Sequence, residues 1–335
     1  MSAILEVKDI DKHFDISGSV IDQLRFTGGR IHRRKTVVKA VNSVSLDVQA
    51  GETLSVVGES GCGKSTLART VMGLYRPNKG EIHYRGARID NLSSHRMLPY
   101  RTKMQMVFQD PYASLNPRMT VRQILEEPVR FHNPNMNRDE VSDRVAEVMR
   151  QVGVDPVWAT NFPHEFSGGQ RQRISIARAL VLDPEFIAAD EPIAALDVSI
   201  QAQILNLLMD AQEQRGLTYL FISHDLSVVE HISNRVLVMY LGCVCELASA
   251  KELFSNPKHP YTRALLSAIP KLGGKAGGHV KLSGDVPTPI NLPTGCVFHG
   301  RCQYADERCS REIPKQHTLA NGTVVACHGV EEGRI

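Results

Sequence analysis

The stretch Gly58-Glu59-Ser60-Gly61-Cys62-Gly63-Lys64-Ser65-Thr66 fills every required position of the pattern G-x-x-x-x-G-K-[ST]. It stands between two contrasting segments. Glu52 to Val57 (ETLSVV) reads as a short buried strand, and Ser65 to Met72 reads as a helix. That strand–loop–helix order is what the pattern needs in order to work. Its glycines let backbone N–H groups curl around an anion with no Cβ in the way, and the helix N-terminus adds partial positive charge. Lys64 would then reach the β- and γ-phosphates of a nucleotide, and the Ser65 hydroxyl would take one Mg²⁺ position. A glycine-rich turn without function can satisfy so short a pattern, so the decision falls to other parts of the chain.

Composition removes several alternatives. With 335 residues and 42% hydrophobic content, the chain can build a large core, as two domains or as one domain with an appendage. The net charge of +3, from 39 basic and 36 acidic residues, gives no global case for binding nucleic acid. The first residues, MSAILEVKDID, lack the basic-then-apolar profile of a signal peptide, and no run is long and apolar enough to span a membrane. Seven cysteines in that context argue for a reducing compartment and against disulfides. These features together predict a cytosolic protein.

Along the chain, residues 3–9 alternate as a strand, ending near His13-Phe14, and the pattern breaks over 15–36. From Leu24 to Ala40 lie Arg25, Arg30, Arg33, Arg34, Lys35 and Lys39 and no acidic residue. This run is either a solvated surface loop or a contact for anionic lipid headgroups or a membrane partner. Strands are predicted at Val37–Val48, Gly80–Tyr84, 104–108, Phe186–Ala189 and Thr218–Ile222. Helices are predicted at Val121–Phe131 (capped by Thr120), Asp139–Val152, Arg171–Leu182 and Val198–Arg215, the last closed by Gly216. Alternating strands and helices imply an α/β fold with a mostly parallel sheet covered on both faces. Around residue 270 the texture changes: Gly273-Gly274, Gly277-Gly278 and prolines at 287, 289 and 293 mark a linker into a cysteine-containing tail. The expected domains are 1–270, with a helical subdomain at about 110–182, and 271–335.

Phosphoryl transfer needs a phosphate cradle, a metal site, a group to activate water and a γ-phosphate sensor. Asp190 ends an apolar strand, where its carboxylate can hold Mg²⁺. Glu191 is a reasonable general base for the attacking water. His224, at the next strand end, could hydrogen-bond the γ-phosphate. Each has a plain structural alternative when taken alone; their order after a complete phosphate loop favours chemistry. Phe166-Ser167-Gly168-Gly169-Gln170 adds something a generic phosphate-loop enzyme lacks. Ser167 caps a helix that opens on glycine, which makes a second anion site. One nucleotide needs one phosphate loop, so a second exposed helix N-terminus suggests a site completed across a dimer.

The set resembles the ATP-binding cassette (ABC) ATPases over roughly residues 3–270. The phosphate loop at 58–66, Gln109 as the Q-loop residue, the signature FSGGQ at 166–170, IAADEP at 187–192, the D-loop AALD at 194–197 and His224 occur in family order and spacing. The resemblance implies a P-loop NTPase core with a mostly parallel, RecA-like sheet, an antiparallel β subdomain and a helical subdomain. It implies two such chains sandwiching two ATPs, each Ser167–Gln170 segment facing the partner's phosphate loop. It also implies an adenine-stacking aromatic, for which Phe14 matches, a place for Gln109 at Mg²⁺ and water, and a contact for Asp197 across the dimer. Two positions depart from the family pattern: Phe166 stands where Leu is commoner, and Ala194 stands where Ser or Thr is frequent.

VGESGCGKST, QDPYASLNPR, DVSIQAQILNLL, SHDLSVVEHI and NPKHPYTRALLSAIP are similar to the oligopeptide/dipeptide importer ATPases, especially the second of their two ATPase subunits. That likeness implies a paralogous ATPase partner, two membrane permeases and an extracytoplasmic peptide-binding protein, with this chain at the cytoplasmic face of the inner membrane. Nickel, glutathione, opine and oligosaccharide importers belong to the same subfamily. Two other readings compete with this one. A soluble ABC ATPase acting on nucleic acid usually has two cassettes, or long insertions between Q-loop and signature, and residues 110–165 are compact here. A protein that binds ATP without turnover is disfavoured by the presence of both Glu191 and His224.

Cys296, Cys302, Cys309 and Cys327 follow C-x5-C-x6-C-x17-C. Four thiols in a short reduced tail suggest a soft-metal site, with intervals longer than the C-x2-C pairs of structural zinc. Related importer ATPases carry a [4Fe–4S] cluster here, so the resemblance implies one; zinc and unligated thiols stay open. His299, His317 and His328 read as bystanders, and Cys62, Cys243 and Cys245 as structural. Metal ligation would give folding free energy to a tail with little core of its own.

Overall fold

A computed structural model of the chain describes residues 3–17, 24–27, 30–33, 35–194, 196–268, 284 and 286–335, the backbone alone for 24–27 and 30–33. In chain order its main elements are β1 (Ala3–Asp15), β2 (Val37–Gln49), β3 (Thr53–Val57), α1 (Lys64–Val71), β4 (Lys79–Tyr84) and β5 (Met104–Val107). Then come α2 (Val121–His132), α3 (Arg138–Gln151), α4 (Gly168–Leu180), β6 (Phe186–Asp190), α5 (Val198–Arg215) and β7 (Thr218–Ile222). The cassette closes with α6 (Leu226–Ile232), β8 (Arg235–Tyr240), β9 (Cys243–Ser249), α7 (Ala250–Ser255) and α8 (Pro260–Ser267). None of the described helices is long and apolar enough to cross a membrane.

The chain divides into two compact units. One comprises residues 1–3, 48–55 and 92–223, the other 4–47, 56–91 and 224–335. In the first, β7, β6 and β5 lie side by side in parallel, with Ile222 opposite Asp190 and Val107 opposite Ala189. All five residues of β6 and of β7 are buried, as expected of strands covered on both faces. The helices bury one apolar stripe each: Val121, Ile124, Leu125 and Val129 on α2, Val141, Val145, Val148 and Met149 on α3. Their starts are chemically fixed. Thr120 with Gln123, Asn137 with Glu140 and Ser167 with Gln170 each form a reciprocal capping box. The Ser167 cap starts α4 at Gly168, three residues before the helix expected from Arg171.

In the second unit, β1 pairs antiparallel with β4, with Leu5 opposite Tyr84. β8 and β9 form an antiparallel pair, with Val236 opposite Ala248. The tail extends this pair: Val324 and Val325 lie opposite Leu247 and Glu246, and His317–Thr318 pairs onto them. Its apolar residues join the core of β8, β9 and α8, where Phe298 lies 5.3 Å from both the Tyr240 and Tyr261 rings. The tail therefore shares a core with the cassette instead of standing apart from it.

Residues 24–27 and 30–33 pair as an antiparallel hairpin. Of the basic run, Arg34 and the side chains of Arg25, Arg30 and Arg33 lie outside the described residues, and Lys35 lies 3.8 Å from Asp15. The expected linker glycines at 273–278 also lie outside them.

Candidate functional site

The phosphate loop, which lies in the second unit, leads from the end of β3 into α1. Gly63 has φ 105°, and a Cβ there would stand 2.1 Å from the Ala40 carbonyl oxygen, so only glycine fits. Lys64 is 5% exposed, and its ammonium donates to the Gly58 and Glu59 carbonyls at 2.7 and 3.1 Å. The side chain thus folds back over the loop. Ser65 and Thr66 lie in the first turn of α1, directly after Lys64. Ser60 and Gly61 form the exposed rim of the loop, and the Cys62 thiol is buried beneath it with its pKa pushed up by that burial. Glu59 is held more firmly than its variable place in the pattern suggests. Its N–H donates to the Tyr261 hydroxyl at 2.9 Å, and its carboxylate receives both Nη atoms of Arg301, at 2.8 and 3.1 Å.

Phe14 and His224 also lie in this unit. Phe14 meets Tyr75 edge-on at 5.3 Å, and the Lys12 ammonium stands 4.9 Å from its ring centre. Tyr75 is a neighbour that periodicity gave no reason to single out. His224 is exposed immediately before Asp225, whose carboxylate caps α6 by accepting from the Ser227 and Val228 N–H groups.

In the first unit, β6 delivers Asp190 fully buried at its carboxyl end. Glu191 follows in the left-handed region at φ 47°, with its N–H donating to the Ile222 carbonyl at 3.1 Å. The turn aims its carboxylate at Gln109, whose Nε2 donates to Glu191 Oε2 at 2.9 Å. Gln109 and Glu191, far apart in sequence, are thereby brought together. The segment after Gln109 packs on the signature helix: Asp110 caps the turn Pro111–Ser114, and the Arg171 guanidinium lies 4.2 Å from the centre of the Tyr112 ring.

Ser167 and Gly168 are exposed at the start of α4. The Ser167 hydroxyl accepts from Gln170 N–H at 3.3 Å, and Gln170 Oε1 accepts from Ser167 N–H at 2.9 Å. Gly169 is required for packing, since a Cβ there would stand 2.6 Å from Ile200 Cγ2 on α5. Asp197 is the exposed N-cap residue of α5, and its carbonyl accepts from Ile200 and Gln201.

The four tail cysteines come together. Cys296, Cys302, Cys309 and Cys327 all line one small cavity, with His259, His299, Phe298, Tyr304 and His328 around them. Burial pushes the Cys296 thiol up to about 12 and raises Cys302 and Cys309 as well. Any metal entering must therefore displace protons. His299 Nδ1 is 2.8 Å from the Cys296 carbonyl and His328 Nε2 is 3.0 Å from the Glu312 carbonyl, so both rings have backbone partners. Among the described residues, no three His, Cys, Asp or Glu side chains are drawn tightly enough together to hold a metal ion.

The ABC transporter family model matches residues 41–194, and the model for the oligopeptide/dipeptide transporter C-terminal region matches 245–309. The oligopeptide transport ATP-binding protein AppF of Bacillus subtilis (strain 168) is 51% identical over 97% of this chain and 97% of its own. The chain belongs to the ATP-binding proteins of the oligopeptide/dipeptide ABC transporters. OppF of Escherichia coli (strain K12), another oligopeptide transport ATP-binding protein, is 48% identical over 93% of this chain and 92% of its own. Among solved structures, a dimeric post-hydrolysis state of the ATP-binding cassette MJ0796 bound to ADP and Pi is 28% identical. It has a TM-score of 0.62 and covers 73% of this chain and 98% of that one. CbiO1 of Clostridium perfringens, part of the transporter complex cbiONQ, also has a TM-score of 0.62, at 27% identity over 76% of this chain and 92% of that one. The fold is that of an ABC cassette, and the chain is an ABC ATPase. Sequence reading of this family member missed Tyr261 and Arg301 as neighbours of the phosphate loop. Arg301 stands beside Cys302, but nothing in sequence spacing ties it to Glu59.

Proposed function

We propose that this protein supplies ATP hydrolysis to an importer of dipeptides or oligopeptides. It acts as one half of a heterodimer with a paralogous ATPase, on the cytoplasmic face of the membrane beneath two permeases fed by an extracytoplasmic peptide-binding protein. The hydrogen bond between Gln109 and Glu191 carries the hydrolytic half of this reading. It couples the carboxylate best suited to take a proton from water to the residue that leads into the helical segment. The peptide half rests on the AppF and OppF likeness and on the match to the transporter C-terminal region.

In the reaction, the loop Gly58–Thr66, through backbone N–H groups other than that of Glu59, and the Lys64 ammonium bind the phosphates, and Phe14 offers its ring to the adenine. The Ser65 hydroxyl, the Gln109 amide oxygen and the Asp190 carboxylate are hard oxygen donors of the kind Mg²⁺ takes. That ion would neutralise charge on the phosphates. Glu191 accepts the proton of the attacking water, Gln109 orients the Glu191 carboxylate, and His224 donates to the terminal phosphate. Ser167, Gly168, Gly169, Gln170 and Asp197 face the partner's nucleotide across the dimer.

For the tail, the chemistry of the cavity suits a [4Fe–4S] cluster held by Cys296, Cys302, Cys309 and Cys327. Four thiols line the cavity, the donor set that such a cluster takes. Bound there, a cluster would cross-link the tail.

Reconstituting this chain with its permeases, paralogous ATPase and binding protein in liposomes tests the reading. Labelled tri- or tetrapeptide should accumulate only with MgATP inside the cytoplasmic-side compartment. Accumulation of nickel or an oligosaccharide, with no peptide transported, would contradict it.

A further inference from the structure

Glu59 is the second residue of the phosphate loop, and no part of phosphoryl transfer needs a carboxylate there. A negative charge beside an anion site opposes nucleotide binding unless a cation cancels it. Arg301 meets Glu59 in a two-pronged geometry, Nη1 to Oε2 at 2.8 Å and Nη2 to Oε1 at 3.1 Å. The Arg301 side chain is only 9% exposed, and its Nη1 also donates to the Tyr240 hydroxyl at 3.3 Å. Two anchors hold the other side of the residue: Arg301 N–H donates to Phe298 O at 3.0 Å, and Cys302 N–H donates to His299 O at 3.2 Å. Cys302 lines the four-cysteine cavity. The side chain gripping the phosphate loop thus belongs to the backbone turn that also presents a cysteine to that cavity.

We propose that Arg301 is a positioning residue for ATP binding, which neutralises Glu59, fixes the loop backbone, and makes nucleotide affinity depend on the order of the four-cysteine site. This rests on residues 58–66 being the nucleotide loop. With Arg301 in place, Glu59 holds the loop open for phosphate through its bonded N–H and carbonyl. Without it, a partly buried carboxylate is left uncompensated next to the triphosphate. The tail is then a brace for the nucleotide site, and whatever orders Cys302 also sets the grip.

Equilibrium binding of Mg²⁺ and a fluorescent N-methylanthraniloyl ATP to the full chain with its partner ATPase tests this, alongside iron and zinc content. Arg301→Ala should weaken binding about tenfold, the loss expected for one charge-assisted hydrogen-bonded pair. Arg301→Lys, which keeps the charge and loses the fork, should fall between it and wild type. Glu59→Gln should restore affinity in the Arg301→Ala background relative to Arg301→Ala alone, with metal content unchanged. Cys302→Ser should weaken binding when Glu59 is present and have little effect in the Glu59→Gln background. Unchanged affinity in Arg301→Ala, or an equal loss with and without Glu59, would overturn the positioning role. Wild-type affinity in Cys302→Ser would overturn its link to the cysteine site. Should Arg301→Ala fail to fold, Arg301→Lys carries the test, and wild-type affinity in that variant would overturn the two-pronged grip. Full nucleotide binding by Lys64→Ala would instead overturn the loop assignment on which the inference stands.

Discussion

In the proposed reaction, Lys64 and Glu191 divide the work of binding and chemistry between a buried cation and a constrained carboxylate. Lys64 has its ammonium on two loop carbonyls of its own chain, and a triphosphate offers the same group stronger, charged acceptors. Lys64→Ala should therefore abolish measurable MgATP binding while leaving the unfolding midpoint nearly unchanged, readable by isothermal titration and thermal denaturation. Retained binding would place the phosphates elsewhere. Glu191 sits at φ 47°, a backbone state that costs a non-glycine residue about 1–3 kcal/mol and persists where surrounding structure imposes it. Here the Ile222 carbonyl and Gln109 supply that constraint. The conformation of the loop was legible from sequence because its positions answer separate physical demands: glycine where a Cβ has no room, lysine where the loop carbonyls converge. Arg301 and Glu59 were not, because an ion pair between residues 242 apart leaves no periodicity or spacing to read.

At the scale of elements, helix starts and strands followed closely from capping residues and apolar runs; α5 and β7 begin and end where those signals put them. The tail was harder, since its strands are only two residues long and gain their place by pairing with β9. Phe298 fastens it, 2% exposed among Tyr240, Tyr261 and His259. Phe298→Ala should lower the unfolding free energy by about 3–5 kcal/mol in urea titration, as for other buried aromatics; a change of a few tenths would mean the tail does not share this core. His259 caps α8, its Nδ1 accepting from Tyr261 N–H at 3.0 Å. Burial, with help from the Arg263 charge, lowers its pKa from 6.5 to about 3. The unfolded chain therefore takes up this proton first as pH falls, so the stabilisation is intact above 6.5 and declines toward 3. In His259→Asn, which keeps an acceptor for the cap and cannot titrate, unfolding free energy should fall less steeply than in wild type between about pH 7 and 5, by roughly one proton per molecule. Parallel slopes would mean His259 is protonated in the folded protein.

For the whole molecule, the signature helix presents Ser167 and Gly168 to solvent while its capping box is already complete within the chain. An exposed, polar, glycine-opened helix start suits a partner's nucleotide, which is the feature on which the proposed dimer rests. What the sequence left open at this scale is the place of the tail, which the structure builds into the same core as Tyr261 and, through Arg301, against the phosphate loop. The most direct test of the account is phosphate release from the assembled transporter, measured with saturating MgATP and peptide-loaded binding protein, for wild type and Glu191→Gln side by side. Removal of a general base typically costs about 10²–10⁴-fold, so the variant should lose that much turnover and its peptide uptake while binding ATP as tightly as wild type. Undiminished phosphate release from Glu191→Gln would contradict the account.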